Sequence, residues 1–220
     1  MIETKKAFCS WSGGKESALA LYRAKKSGIN VPYLINMTSE GGEYSRTHGI
    51  KASCLRSQSE ASGIPVIQQQ ASWQNYEKEF KRIVLELKHN GVQIGIFGDI
   101  DLQEHRDWVG KICNEADIEP ILPLWKEKRE RLFDEFIRVG FRAIVVTLKD
   151  SVLGKEWLGR VIDKKFVKDI KAINGIDISG EKGEYHTFVF DGPIFKSPIK
   201  FSTGKQILKE DYCFLELTTI

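Results

Sequence analysis

The sequence predicts an α/β fold, with a parallel sheet covered by helices on both faces and a smaller C-terminal α+β region. Two observations predict it. From Ala7 to Lys149, short apolar runs alternate with segments of helical periodicity. Strands separated by helices form right-handed βαβ crossovers, which give a parallel sheet. After Lys149 this alternation stops, and glycines are interspersed with strand-like residues. The sequence therefore predicts two domains, residues 1–150 and residues 151–220.

The individual elements follow from periodicity and from glycines that end helical segments, as at Gly28, Gly63 and Gly140. Strands are predicted at residues 7–11, 30–37, 64–70, 92–99, 118–125 and 141–149, and helices at residues 17–26, 48–63, 76–89, 104–116 and 131–139. In the C-terminal region, residues 157–173 are predicted to be helical and residues 199–220 to form a hairpin.

Composition excludes several classes of protein. A hydrophobic fraction of 41% and a charged fraction of 29% are typical of a globular domain. No apolar run approaches the roughly 20 residues that span a bilayer, and the N-terminus lacks signal-peptide features, so a cytoplasmic protein is predicted. A net charge of only +3 argues against a nucleic-acid partner. The four cysteines form no CxxC pair, which argues against disulfides, zinc and iron–sulfur clusters.

The stretch SGGKES, residues 12–17, lies between the first predicted strand and the first predicted helix. A loop in this position presents backbone N–H groups and the positive end of the helix dipole, and glycine lets the backbone approach an anion. Lys15 adds a mobile positive charge, and Ser12 and Ser17 add hydroxyl donors. The pattern predicts a phosphate-binding loop; the alternative is a Gly-Gly turn whose hydroxyls only cap the helix. It matches neither the Walker A pattern nor G-x-G-x-x-G.

This loop resembles the pyrophosphate loop of the N-type ATP pyrophosphatases, the SGGxDS family that includes GMP synthetase, argininosuccinate synthetase and the tRNA thiolation and lysidine enzymes. The resemblance implies a HUP-like (Rossmann-like) fold and cleavage of ATP between the α- and β-phosphates, with transfer of AMP to an acceptor. Glu16 stands where that family has aspartate. The implied ATP-binding residues are Ser10, Ser12, Gly13, Gly14, Lys15, Glu16, Ser17, Asn36, Gly98 and Asp99.

A second motif, GEKGEYHTFVFDGPIF, occupies residues 180–195. Together with the loop it resembles the diphthine–ammonia ligase family, and the segments GDID, LPLW and WLGR occur in the order which that family shows. The resemblance implies an amide ligase that forms AMP and pyrophosphate: a carboxylate, diphthine on elongation factor 2, is adenylated and then attacked by ammonia. The implied substrates are ammonium and ATP, with Mg²⁺ held mainly by phosphate oxygens and no metal ligand assigned to the protein.

The second motif is predicted to form the acceptor side of the site. A carboxylate or imidazole there would bind ammonium and remove its proton. The residues assigned to the acceptor or to ammonia are His48, Glu181, Gly183, Glu184, Tyr185 and His186, and those assigned to catalysis are Lys15, Glu184 and His186. The alternative is a glycine turn followed by a strand with exposed polar residues. Asp99 is assigned either to the metal or ribose or to a helix cap, and His105 and the tryptophans are given no role in the site.

The sequence is compatible with three other functions. The same chemistry would amidate a small-molecule carboxylic acid. A tRNA-modifying enzyme is disfavoured by the spacing of the cysteines and by the small net charge. A non-catalytic ATP or AMP sensor would need only the loop, so the late glutamate–histidine motif argues against it. The sequence makes no prediction of the oligomeric state.

Overall fold

A parallel sheet forms the N-terminal part of the protein in the computed structural model, which describes residues 5–220. Its strand order is β3-β2-β1-β4-β5, so the first strand is central and the order reverses between β1 and β4. In open parallel sheets, ligands bind at the carboxyl ends of the strands beside such a reversal. The strands are β1 (Lys6–Ser10), β2 (Asn30–Thr38), β3 (Val66–Gln70), β4 (Val92–Ile96) and β5 (Glu119–Ile121).

Helices cover both faces of this sheet, as the sequence predicts. On one face, helices α3 and α4 pack around Phe8 of β1. On the other face, Ala7 and Cys9 of the same strand pack with helices α1, α2 and α5 in a larger core. This alternation is the period-two side-chain pattern of a strand buried on both faces. The helices are α1 (Lys15–Lys26), α2 (Ala52–Ser62), α3 (Tyr76–His89), α4 (Gln103–Glu115) and α5 (Arg129–Arg138).

A separate antiparallel sheet lies in the C-terminal region, with strand order β7-β6-β9-β8. The expectation that residues 141–149 continue the parallel sheet is wrong, because β6 pairs antiparallel with β7 and β9. A strand buried on both faces has the same apolar sequence in either kind of sheet. The predicted hairpin is confirmed as β8 and β9. The strands are β6 (Arg142–Lys149), β7 (Tyr185–Asp191), β8 (Phe201–Lys209) and β9 (Tyr212–Thr219).

Two predicted helices are shorter in the structure. The range 157–173 contains one α-helix, α6, which spans Lys164–Lys171, and a 3-10 turn at Lys155–Trp157 ends where the range begins. Asp163 caps α6 by accepting a hydrogen bond from the backbone N–H of Phe166 at 2.7 Å, so the helix begins after it. The helix expected from residue 48 begins at Ala52. Residues 39–51, called here the β2–α2 loop, instead form turns and isolated antiparallel bridges.

The two sheets pack together through one hydrophobic core. Val145 of β6 and Phe188 of β7 belong to the same buried cluster as Leu19 of α1 and Leu55 of α2. The division of the chain into domains at residue 150 stays a prediction, and β6 lies in the second sheet although it precedes that boundary. Within residues 5–220, none of the helices has the length and apolar character needed to cross a membrane.

Candidate active site

A cleft of about 1190 Å³ opens at the carboxyl ends of β1, β2 and β4, and residues of β7 and β9 form its opposite wall. It brings together the two motifs that the sequence singled out, which are more than 160 residues apart in the chain. The predicted residues that line it are Ser10, Ser12, Lys15, Glu16, Ser17, Asn36, His48, Gly98, Asp99, Glu181, Gly183, Tyr185 and His186. Gly13, Gly14 and Glu184 are not among the lining residues.

Lys15, the first residue of α1, is buried beside the cleft, with 6% of its surface exposed. Its Nζ donates to the carbonyl oxygen of Ser179 at 2.6 Å and pairs with Glu16 Oε1 at 2.7 Å. It also lies 4.7 Å from the centre of the Tyr185 ring. An ammonium group has three N–H donors. Two are used by these oxygens, so the third has no oxygen partner in the part of the chain that the structure describes.

The glycines of the loop make room for protein side chains. A Cβ on Gly13 would lie 2.3 Å from Leu55 Cδ2, and one on Gly14 would lie 2.4 Å from His48 Cε1. Gly13 also has a φ of +79°, which other residues rarely adopt. The sequence predicts that these glycines leave space for an anion. The structure does not support this role, because the Cβ positions of both glycines face protein side chains. At Gly98, a Cβ would meet the backbone of Glu16 at 2.9 Å, so glycine lets β4 approach the first turn of α1.

Two alanine substitutions, one at Gly13 in this loop and one at Gly28 just after α1, separate backbone strain from packing. Gly28 has a φ of +84° and no neighbour within 4 Å of an added Cβ. Gly28→Ala is therefore expected to lower the free energy of unfolding by about 1 kcal/mol through backbone strain alone. Gly13→Ala adds a clash with Leu55, so it is expected to lower the free energy of unfolding by roughly 1–3 kcal/mol more than Gly28→Ala does. Urea unfolding of both variants measures the difference. Equal free energies of unfolding would contradict the tight packing of Gly13.

Two residues that the sequence did not single out hold the loop in place. The backbone N–H of Lys15 donates to Thr187 Oγ1 at 3.1 Å, so one of the free donors expected at the start of α1 is already used. Gln58 is fully buried; its Nε2 donates to the carbonyl oxygens of Gly13 at 3.0 Å and Val189 at 2.7 Å. Thr187 belongs to the second motif and could have been found there. Nothing in the sequence around Gln58 indicates its contact.

Glu181 is the acidic residue of the second motif that faces the cleft. Burial raises its pKa to about 8, and the negative charges of Glu16, Asp99 and Asp177 act in the same direction while Lys15 opposes them. A carboxyl group with a pKa near neutrality is suited to accept and release a proton at physiological pH.

Glu184 does not face the cleft. It is buried, and its two carboxylate oxygens accept hydrogen bonds from the backbone N–H groups of Asp177 and Lys182, each at 2.9 Å. The carboxylate therefore organises the turn that carries Glu181. This position does not support the predicted catalytic role of Glu184. Of the two glutamates, Glu181 is the one placed to meet a ligand.

His48 and His186 form a stacked pair, with ring centres 4.5 Å apart and an interplanar angle of 24°. Burial and the charge of Lys15 lower the pKa of His186 to about 4. Burial, His186 and Lys15 lower the pKa of His48 well below its usual value. Both imidazoles are therefore neutral at pH 7. A neutral imidazole offers one N–H donor and one acceptor, but these two are weak bases.

Asp99 pairs with His105, whose Nδ1 lies 2.9 Å from Asp99 Oδ1. This hydrogen bond raises the pKa of His105, with smaller contributions from the charges of Asp99 and Glu181. His105 lies in α4 and lines the cleft, although no sequence pattern assigns it to the site. Asp99 therefore contacts a side chain of the site, and it does not cap α4, where no side-chain cap is present.

An aromatic wall stands beside Asp99. The Tyr76 ring lies 6.0 Å from that of Trp73 and 5.9 Å from that of Trp108, and all three line the cleft. Trp73, to which the sequence assigned no role in the site, is 67% exposed. Nearby, Asn36 Oδ1 and Arg46 Nε are buried without a hydrogen-bond partner. Because buried polar atoms are nearly always paired, these two atoms indicate room for a polar ligand.

Carboxylates line the cleft singly. Within residues 5–220, no three histidine, cysteine, aspartate or glutamate side chains are grouped so as to hold a metal ion. Mg²⁺ is commonly bound through one or two carboxylates together with substrate phosphates. Glu16 and Asp99 fit that mode of binding, in which the metal arrives with a nucleotide.

The strand order, the glycine loop beside the reversal and the second sheet across the cleft define a HUP-like, Rossmann-like α/β protein. Two family models match it, the diphthamide synthase N-terminal domain over residues 5–120 and the diphthamide synthase C-terminal domain over residues 128–219. The chain belongs to the diphthamide synthase family. The resemblance to the diphthine–ammonia ligases is thereby confirmed.

Individual relatives agree with this family. The diphthine–ammonia ligase of Danio rerio is 25% identical and the match covers 92% of this chain and 89% of the relative. That of Rattus norvegicus is 25% identical, with 90% and 83% covered. Among solved structures, the chain is similar to a predicted subunit of tRNA methyltransferase from Methanocaldococcus jannaschii, with 18% identity, a TM-score of 0.45, and 89% of this chain and all of that chain covered. A similarity of this size carries no argument about function.

Proposed function

We propose that the protein is an ATP-dependent amide ligase that adenylates a carboxylate, releases pyrophosphate and transfers the acyl group to ammonia. The observation that carries the proposal is the contact between the two motifs, in which Lys15 of the glycine loop meets Ser179 and Thr187 on either side of Glu181 and His186. A nucleotide at the loop would then lie beside the groups able to handle ammonia. The relatives named diphthine–ammonia ligase support diphthine of elongation factor 2 as the carboxylate.

In the first step, an oxygen of the acceptor carboxylate attacks the α-phosphorus of ATP, and the bond between the α- and β-phosphates breaks. The departing pyrophosphate is stabilised by Lys15 Nζ, by the hydroxyls of Ser12 and Ser17, and by the N–H groups of Glu16 and Ser17, which follow the Lys15 N–H that is bonded to Thr187. Mg²⁺ bound to the phosphate oxygens would neutralise part of the same charge. The buried position of Lys15 favours this role, because a charge interaction is stronger away from bulk water.

In the second step, ammonia attacks the acyl carbon, the bond from that carbon to the AMP oxygen breaks, and the new amide nitrogen releases one proton to water as AMP leaves. Ammonium has no free electron pair, so it must first lose a proton. Glu181 takes that proton, since its pKa of about 8 makes it a stronger base than either histidine. His48 and His186, both neutral, hold ammonia by hydrogen bonds without repelling it. Glu184 keeps Glu181 in place.

The mouth of the cleft favours a protein acceptor over a small-molecule acid. Three large apolar side chains at the cleft are exposed, Tyr44 by 39%, Trp73 by 67% and Ile207 by 46%. Exposed apolar groups gathered at one site are typical of surfaces that bind a macromolecule. The cleft volume of about 1190 Å³ also exceeds the roughly 300–1,000 Å³ typical of a site for a single small ligand.

The test combines the purified protein with MgATP, ammonium and elongation factor 2 that carries diphthine. AMP, pyrophosphate and the amidated factor are expected to appear together, and none is expected with a factor whose target histidine is unmodified. Amidation of free small acids without the factor would contradict the assignment of the acceptor. ATP binding without turnover in the presence of diphthine would favour the sensor, and formation of ADP would contradict adenylation.

A further inference from the structure

Arg129, the first residue of α5, joins two separate parts of the chain. Its Nε and Nη2 meet the two carboxylate oxygens of Asp177 at 2.8 and 2.7 Å. Its Nη1 and Nη2 meet the two oxygens of Asp101 at 2.8 and 3.1 Å. The planar guanidinium is therefore bidentate to two carboxylates at once. Such pairs fix relative orientation as well as distance.

The two carboxylates belong to the two turns that carry the acidic residues of the cleft. Asp101 lies two residues after Asp99 in the turn that follows β4. Asp177 begins the turn of residues 177–184, called here the glutamate loop, in which Glu181 faces the cleft and Ser179 accepts from Lys15. Neither turn is part of a regular helix or strand.

Asp177 is also the centre of the hydrogen bonds inside the glutamate loop. Its Oδ1 accepts from the backbone N–H of Ser179 at 2.8 Å, and its own N–H donates to Glu184 Oε1 at 2.9 Å. Arg129 thus contacts the residue on which the internal structure of the loop depends. Together with the bond from Lys15 to the Ser179 carbonyl, it ties the loop to the parallel-sheet side of the cleft.

The positive charge of Arg129 also offsets repulsion between acidic residues on the two turns. The negative charges of three residues act on Glu181, namely Glu16, Asp99 and Asp177. Like charges would push the glutamate loop away from the turn after β4. The guanidinium of Arg129 lies between Asp101 and Asp177, and its attraction to both carboxylates opposes that repulsion. Its hydrogen bond to Asp101 lowers the pKa of that residue.

We propose that Arg129 is a positioning residue, which holds the glutamate loop against the turn after β4 and so sets where Glu181 and the Ser179 carbonyl stand relative to Lys15. The inference rests on the proposed function, in which Glu181 receives the proton of ammonium. Arg129 itself is not among the residues that line the cleft.

The test uses Arg129→Lys, which keeps the charge but loses the planar fork, and Arg129→Gln, which loses the charge. Each is expected to lower kcat for amide formation by roughly 10- to 100-fold, because small misplacements of a reacting group have effects of that size, while the KM for ATP changes little. Trypsin cleavage after Lys182, an exposed residue of the glutamate loop, is expected to become faster in both variants. Cleavage is followed by mass spectrometry and does not depend on activity.

The matched control is Arg160→Lys. Arg160 is equally exposed, 25% against 24% for Arg129, but pairs with the single carboxylate of Asp169. It is expected to leave kcat and cleavage after Lys182 unchanged. If the Arg129→Gln variant does not fold because Asp177 is left unpaired, Asp101→Asn and Arg129→Lys keep the test valid.

Two results would count against different claims. A folded Arg129→Lys variant with wild-type kcat and wild-type cleavage after Lys182 would overturn the positioning role. A wild-type protein that forms no AMP with diphthine-bearing elongation factor 2 would overturn the proposed function, and faster cleavage after Lys182 in the variants would then still support the contact.

Discussion

Replacing Lys15 with methionine is expected to lower kcat/KM for pyrophosphate release by roughly 10²- to 10³-fold, the size of effect seen when one preorganised donor to a developing charge is removed. Methionine has a similar length, so it fills the buried space between Glu16, Ser179 and the Tyr185 ring while removing the charge. The loss should fall on kcat more than on KM, because the interaction strengthens as the pyrophosphate leaves. A continuous pyrophosphate assay measures both.

Lys26→Met is the matched control for this change. Lys26 lies in the last turn of the same helix and is exposed, so its replacement is expected to leave turnover unchanged. Thermal unfolding of both variants shows whether the fold is kept. A folded Lys15→Met variant with wild-type turnover would contradict a role for the loop in pyrophosphate release.

Replacing Glu181 with glutamine is expected to lower amide formation by roughly 10²- to 10⁴-fold, the usual contribution of a general base. Exchange of labelled pyrophosphate into ATP, which reports adenylation alone, should persist, because Glu181 acts only on ammonium. Glu60→Gln, at an exposed position on α2, is the control and should affect neither measurement.

The pH dependence of the ammonia step gives a second test of Glu181. Its carboxylate is the active form, so the rate should rise as pH rises through about 8. The glutamine variant should lack this rise. The groups that set the pKa of Glu181 are Lys15 and Glu16 of α1, Asp99 after β4, and Asp177 of the glutamate loop. An unchanged pH profile in the variant would assign the proton transfer to another group.

The same pKa makes a prediction about stability. The Glu181 pKa is raised above its ordinary value of 4.5, so the folded state binds its proton more tightly than the unfolded state. Its contribution to the free energy of unfolding is therefore lost as pH rises from about 4.5 to about 8. Glutamine does not titrate, and the melting temperature of Glu181→Gln should fall less than that of the wild type over this range.

The sequence predicts those parts of the site that depend on neighbouring residues in the chain. The glycine loop, Lys15 and helix α1 follow from a strand, a turn and helical spacing within residues 6–26. The meeting of the loop with the second motif follows only from family resemblance. Periodicity does not say that β7 crosses the start of α1, which depends on how the two sheets pack.

Other features depend on tertiary structure and could not be predicted from the pattern. Which of two neighbouring glutamates faces the cleft is set by the turn around them, where Gly180 and Gly183 have φ values of +74° and +81°. His105 reaches the site because α4 begins beside Asp99. The sheet to which β6 belongs is decided by its partners, since all but its terminal residues are buried.

The most direct measurement of adenylation is the fate of the acceptor oxygen. Elongation factor 2 whose diphthine carboxylate carries ¹⁸O would be incubated with the protein, MgATP and ammonium, and the nucleotide and phosphate products would be analysed by mass spectrometry. Attack of the carboxylate on the α-phosphorus predicts one ¹⁸O atom in AMP and none in pyrophosphate. Label in inorganic phosphate, with ADP as the nucleotide product, would mean an acyl phosphate and would contradict the mechanism.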